Sequence, residues 1–160
     1  LGPGPNGFDL AESIQKSAPE VGIVFLTNLP DARLAGRETK DLPNNISYLR
    51  KSQLIDSNEL VQALEAVLHD SITPDFRHDL DDERPLSSLS RKQISVLQLL
   101  ALGYTNAQIA EKRGTTVRAV EGIVSRIFQA LDIDVQAEGN ARVEAASTYL
   151  RASGKSLSDS

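Results

Sequence analysis

The sequence predicts an α/β half followed by an all-α half of four helices, with helix the dominant element overall. Three observations carry this reading. Residues 1–70 alternate apolar stretches of helix and strand type. Residues 86–154 show helical periodicity only, punctuated by glycines and by Ser/Thr caps. Residues 71–85 between them hold few aliphatic side chains, two prolines and an acidic run, the composition of a flexible or extended connector.

In the first half, the turn-rich opening at 1–7 leads into FDLAESIQKSAPE, which is helical with Leu10, Ile14 and Ala18 on one side and is ended by Pro19. VGIVFLT is short, continuous and β-branched, the pattern of a parallel strand buried on both faces. Residues 28–45 read as loop with a short helix near 31–37, and ISYL as a second strand. Asp56-Ser57-Asn58-Glu59 caps a helix whose apolar face is Leu60, Leu64 and Leu68, with Val61 and Val67 beside them. Such alternation implies parallel strands joined by helical crossovers. Two strands are too few for a stable parallel sheet covered on both faces, so the pattern predicts further sheet before Leu1. The chain does not open on Met, which fits.

Composition narrows the function classes. With 40% hydrophobic and 24% charged residues in 160, the chain suits one globular domain or two small ones. It has no cysteine, which excludes disulfides, thiolate metal sites and a Cys nucleophile. The longest apolar run, Val21 to Leu26, is far below the ~20 residues of a membrane span. There is no signal-peptide pattern, so a cytoplasmic location without membrane partners is expected. His69 and His78, the only histidines, are badly spaced for one helix face and lack a third ligand, so no metal site is expected. No G-x-S-x-G elbow and no set of nucleophile, base and oxyanion donors supports an enzyme. The net charge of −5 is uneven: 6 Lys/Arg against 10 Asp/Glu over 1–70, 2 against 5 over 71–85, and 8 against 6 over 86–154. The acidity belongs to the first half and the connector, and the mildly basic helical half is compatible with DNA.

In that half, Ser90 with Gln93 and Thr105 with Gln108 form capping-box patterns. Ile94, Leu97, Leu100 and Ala101 make the stripe of a first helix, ended by Gly103. A second helix at 105–113, with Ile109 and Ala110 inward, stops at Gly114. Thr116 caps a third at 117–131, whose inner face is Val117, Val120, Val124, Ile127 and Leu131. Its other face carries Arg118, Gly122, Ser125 and Gln129, flanked by Glu121 and Arg126. After a break at 132–139, Ala141–Ala152 closes the domain with Val143, Ala146 and Leu150 inward. A helix with one buried and one short polar face, set after a tight turn, suits either a helical hairpin in a bundle or a recognition helix.

LSRKQISVLQLLALGYTNAQIAEKR, TTVRAVEGIVSRIFQALDI and ARVEAASTYL together resemble the LuxR/NarL-type helix-turn-helix output domain over about seventy continuous residues. The recognition helix departs from the commoner pattern, reading Ala119, Val120, Glu121 and Ile123 where Thr-Val-Lys and a His are usual, with Ser125 at another commonly basic position. This places the chain in an Ala-Val-Glu branch. The first half resembles the second half of a flavodoxin-like response-regulator receiver domain. The resemblance puts Thr27 and Lys51, at the ends of the two strands, where receivers place the hydroxyl and lysine that hold a phosphoryl group. The phosphoacceptor Asp and the Mg²⁺-holding acids of such a domain would precede Leu1, so phosphorylation and Mg²⁺ are not expected of this chain. Without them, Thr27 reads as a strand-end cap and Lys51 as a solvated residue.

The resemblance implies a sequence-specific transcriptional regulator, the output part of a two-component system. Its partners would be double-stranded DNA, a second copy of the chain, a sensor histidine kinase and RNA polymerase. The DNA-facing set would be Thr105, Asn106, Thr116, Arg118, Glu121, Gly122, Ser125, Arg126 and Gln129, with Arg142 reaching a phosphate. Val143, Ser147 and Leu150 form the candidate dimer surface, or alternatively close the bundle core. A second reading is a helix-turn-helix used as a protein-interaction module on the transcription machinery, supported by Glu121 and the overall acidity.

Overall fold

Asn6 opens the first helix by accepting the N–H groups of Phe8 and Asp9, while Asp9 accepts the Asn6 N–H at 2.8 Å. This reciprocal cap satisfies donors that a helix N-terminus otherwise leaves unpaired. It launches α1 (Gly7–Ser17) of a computed structural model that describes residues 6–43, 45–136 and 140–153. Most of the turn-rich opening and all of the tail at 155–160 lie outside the described residues. The chain divides into two units, Leu1–Arg84 and Pro85–Ser160.

The first unit is α/β. Strands β1 (Ile23–Thr27) and β2 (Ile46–Arg50) pair in parallel, Ile23 opposite Ile46 through Thr27 opposite Arg50. Between them lie two short 3-10 turns, Ala32–Ala35 and Thr39–Asp41, and after them α2 (Ser57–Leu68), capped by Asp56. The core on one sheet face gathers Phe8, Ile23, Phe25, Ile46 and Tyr48. The Phe8 and Phe25 rings lie 4.8 Å apart, and Tyr48 stacks beside Phe8 at 6.5 Å. Burial pushes the Tyr48 pKa up, and its neutral hydroxyl donates to the Leu29 carbonyl at 3.0 Å. The buried side of α1 is therefore Phe8 and Ala11. Leu10, expected inward, is exposed, and Ile14 is half-buried.

Two further expectations for this unit are corrected. β1 is only half-buried and Leu26 faces solvent, because among the described residues it has a strand neighbour on one side only. The strand buried along its whole length is β2. Helix α2 packs on the sheet through its small residues Ala63 and Ala66, while Val61, Leu64 and Leu68 stand exposed. The helix approaches the start of β1 closely at one point, where a Cβ on Gly22 would meet Val67 Cβ at 2.9 Å.

Residues 71–84, expected as a connector, are instead docked on this unit. Arg77 bridges in parallel to Tyr48, on the edge of β2 away from β1. The His78 ring accepts the Arg50 N–H at 3.0 Å, and short 3-10 turns run over Pro74–Phe76 and His78–Leu80. Asp79, fully buried, takes a two-pronged contact from Arg77 at 2.8 Å. Arg84 donates to Asp31, also fully buried, at 2.7 Å. An unpaired strand edge exposes backbone donors and acceptors, and this strap satisfies them with residues whose charge suggests solvent.

The second unit is all-α: α3 (Arg91–Ala101), α4 (Asn106–Arg113), α5 (Val117–Ala130) and α6 (Ala141–Ala152). α3 packs on α5 and α6, and α4 on α5. Val96, Leu97, Ile109, Val120, Ile127 and Ala145 lie at its centre, fully buried. α6 is turned differently from its expected setting. Ala145, Tyr149 and Ala152 face inward, Ala146 and Leu150 are half-buried, and Val143 is 60% exposed. The large Tyr149 ring fills the interior position, which rotates Val143 to the outside.

No helix among the described residues is long and apolar enough to cross a membrane.

Candidate nucleic-acid interface

Three helices of the second unit end in the same way. Tyr104 N–H returns to Leu99, Thr115 N–H to Ala110 and Ile133 N–H to Phe128, at 3.2, 2.9 and 2.9 Å. Each sits beyond a residue of positive φ: Gly103 at 92°, Gly114 at 63° and Asp132 at 57°. These are Schellman closures, which satisfy the last carbonyls and force the chain to turn sharply. Starts are equally well defined. The Thr105 hydroxyl accepts the Gln108 N–H at 3.2 Å while Gln108 accepts the Thr105 N–H at 2.9 Å. Thr116 accepts the Ala119 N–H at 3.1 Å. Only Thr115 and the two caps separate α4 from α5, so the two helices form a rigid helix-turn-helix.

α5 divides cleanly. Val120, Ile123, Val124 and Ile127 are buried, whereas Val117 is exposed and Leu131 half-buried. Ile123 thus belongs to the core. Arg118, Glu121, Gly122, Ser125, Arg126 and Gln129 are all exposed on the other side. Among the described residues, Arg118, Glu121 and Arg126 enter no ion pair, so two cations and one carboxylate stand free on this face. Thr105 and Thr116 are exposed beside it and Asn106 is half-buried.

Arg142, the residue expected to reach a phosphate, is engaged within the unit. Its guanidinium donates to Asn106 Oδ1 and to the Tyr104 carbonyl, both at 2.8 Å. It thereby ties the start of α6 to the start of α4, and it occupies the Asn106 side chain. Arg142→Ala is expected to cost the second unit about 1–3 kcal/mol, because it strands two half-buried acceptors. Urea unfolding monitored by helical circular dichroism measures this, and an unchanged midpoint would show the tie to be incidental. Two cations that the sequence reading passed over lie on α4. Lys112 sits 4.9 Å over the Tyr104 ring, and Arg113 donates to Ser95 at 2.8 Å. Both contacts bridge helices or helix and turn, which no local sequence pattern reveals.

The receiver-like positions are less convergent. Thr27 accepts the Leu29 N–H at 3.1 Å, a strand-end cap. Lys51 is exposed at the start of a 3-10 turn. Of the dimer candidates, Val143 is exposed while Ser147 and Leu150 are half-buried.

Comparison with known proteins agrees with this geometry. The family model described as bacterial regulatory proteins, luxR family, matches residues 87–138. The chain is 25% identical over 147 residues to oxygen regulatory protein NreC of Staphylococcus haemolyticus, covering 85% of this chain and 68% of that one. It is 26% identical over 136 residues to the DNA-binding transcriptional activator EvgA of Escherichia coli K12, covering 81% and 65%. It is 25% identical over 142 residues to transcriptional regulatory protein LiaR of Bacillus subtilis, covering 81% and 64%. The chain thus spans about two thirds of the length of the curated relatives it matches. Each aligned stretch is far longer than the second unit, so the α/β unit shares in the likeness. With its capped hairpin, its outward polar helix and the match at residues 87–138, the second unit of this chain holds a helix-turn-helix domain of the luxR family of bacterial regulatory proteins, and the chain as a whole is similar to the bacterial regulators named above.

Proposed function

We propose that this chain is the output part of a response regulator, binding duplex DNA in a sequence-specific manner through α5 in the major groove. The observation that supports it most is the free polar face of α5, held rigid by a fully apolar opposite face and by closures at both ends. The starts of α4 and α5, where Thr105 and Thr116 are exposed, suit phosphate oxygens of the DNA backbone. Arg118 and Arg126 supply charge, and Glu121 suits a cytosine N4 donor. One such domain covers little DNA, so binding is by pairs on adjacent half-sites, with the exposed Val143 and its neighbours Ser147 and Leu150 toward the second copy. A sensor histidine kinase and RNA polymerase are the partners this role entails.

The test is DNA binding by the full chain across a salt series, using a duplex selected from a random library. The logarithm of affinity should fall against the logarithm of salt with a slope of about −0.9 per phosphate neutralised. Glu121→Lys should steepen that slope by about 0.9 per protomer and raise affinity for unrelated DNA. Enrichment of no duplex, or binding indifferent to salt, would instead favour the protein-interaction role for the same face.

A further inference from the structure

Gly122 is the sixth of the fourteen residues of α5, and no contact among the described residues accounts for it. Gly36, Gly103 and Gly114 hold positive φ, which side chains resist, but Gly122 does not. Gly22 lies so close to Val67 that a Cβ there would collide, whereas a Cβ built on Gly122 meets no atom of the described residues within 4 Å. Glycine is the poorest helix former after proline, so this residue weakens α5 with no return in packing or backbone geometry. Its position carries the meaning. Arg118 and Arg126 stand one turn before and one turn after it on the same exposed face, with Glu121 and Ser125 alongside.

We infer that Gly122 is a positioning residue for base recognition: a bare patch of helix backbone between two arginines that lets α5 seat against the base edges of the major groove. The inference rests on the DNA-binding reading above and adds what sets the depth of the helix. With no side chain at 122, the facing base pair meets the helix backbone in van der Waals contact. Glu121 and the two arginines are then brought down to the bases and phosphates on either side. A methyl group at 122 would hold the helix off by its own radius. That lift removes contacts made at fixed geometry to base edges but leaves the looser attraction to phosphates.

The experiment uses the full chain, a duplex selected by the wild-type chain from a random library, and poly(dI-dC) as unrelated DNA. Gly122→Ala and Gly122→Val are compared with wild type for affinity to both DNAs and for melting temperature. Gly122→Ala should raise the melting temperature by about 3 °C, since alanine favours the helix. It should nonetheless weaken binding to the selected duplex by about tenfold, the discrimination carried by a base contact. Gly122→Val should weaken it further, and affinity for poly(dI-dC) should stay within about twofold for both. A more stable Gly122→Ala protein that binds the selected duplex as tightly as wild type would overturn the inference while leaving DNA binding intact. A lower melting temperature would overturn its premise that the fold does not need this glycine. Failure of the wild-type chain to select any duplex would remove the DNA-binding reading, and this inference with it, before any substitution is compared.

Discussion

Asp31→Ala lowers the stability of the first unit by about 3–5 kcal/mol, the cost of breaking a buried ion pair from one side. Asp31 is fully buried and accepts Arg33 N–H at 2.8 Å, Arg33 Nε at 2.9 Å, Arg33 Nη2 at 2.8 Å and Arg84 Nε at 2.7 Å. Removing it takes away the carboxylate that two guanidinium groups, 8% and 16% exposed, both contact. It also releases Arg84, and with it the end of the strap over the edge of β2. By contrast Arg37, which pairs with Asp9 and Glu12 at the surface, should be replaceable by alanine at a cost under about 1 kcal/mol. Denaturant unfolding of the full chain, followed by circular dichroism, compares the two. A loss for Asp31→Ala no larger than for Arg37→Ala would show that the buried network contributes nothing net.

The same carboxylate makes the first unit sensitive to acid. Burial alone would raise the Asp31 pKa, but hydrogen bonds from Arg33 and Arg84 outweigh it and hold the value below the ordinary 3.8. A carboxyl whose folded pKa is depressed stabilises the fold above its unfolded value, and that contribution is lost as pH falls through the lower folded value. Asp31→Asn should therefore flatten the acid limb of the stability curve below about pH 4. An acid limb identical to wild type would exclude Asp31 as its source.

Arg118→Ala weakens binding to a selected duplex by about 10- to 100-fold if Arg118 reads a base, and lowers the salt slope by about 0.9 per protomer if it holds a phosphate. The two outcomes separate the roles: the first lowers preference for the selected sequence, the second lowers affinity for all DNA. Since Arg118 is exposed and free of internal ion pairs among the described residues, the melting temperature should not move. Binding unchanged in both affinity and slope would remove α5 as the reading helix.

The second unit was largely legible in its sequence because its signals are local. Ser90 with Gln93, Thr105 with Gln108, Thr116, Gly103 and Gly114 act within one turn of themselves, and each forms the cap or closure its spacing implies. The polar face of α5 follows from a strong 3.6-residue period, so its exposed residues could be named without coordinates. Periodicity failed where two apolar faces compete. α6 carries both Val143 and Tyr149, and only the space left by α3 and α5 decides that Tyr149 goes inside. On α2, leucines look like the core face, yet Ala63 and Ala66 are the residues the packing buries.

Sequence alone thus determined the order of elements, their ends, the helix-turn-helix and the composition of its outward face, because helix periodicity and caps are properties of short stretches. Tertiary structure decided the rest. It assigned Arg142 to Asn106 and Tyr104, Arg84 to Asp31, and residues 71–84 to the edge of β2. Pairs such as Asp31 and Arg84 lie far apart along the chain, and their charges read as solvent-facing until the fold buries them against each other.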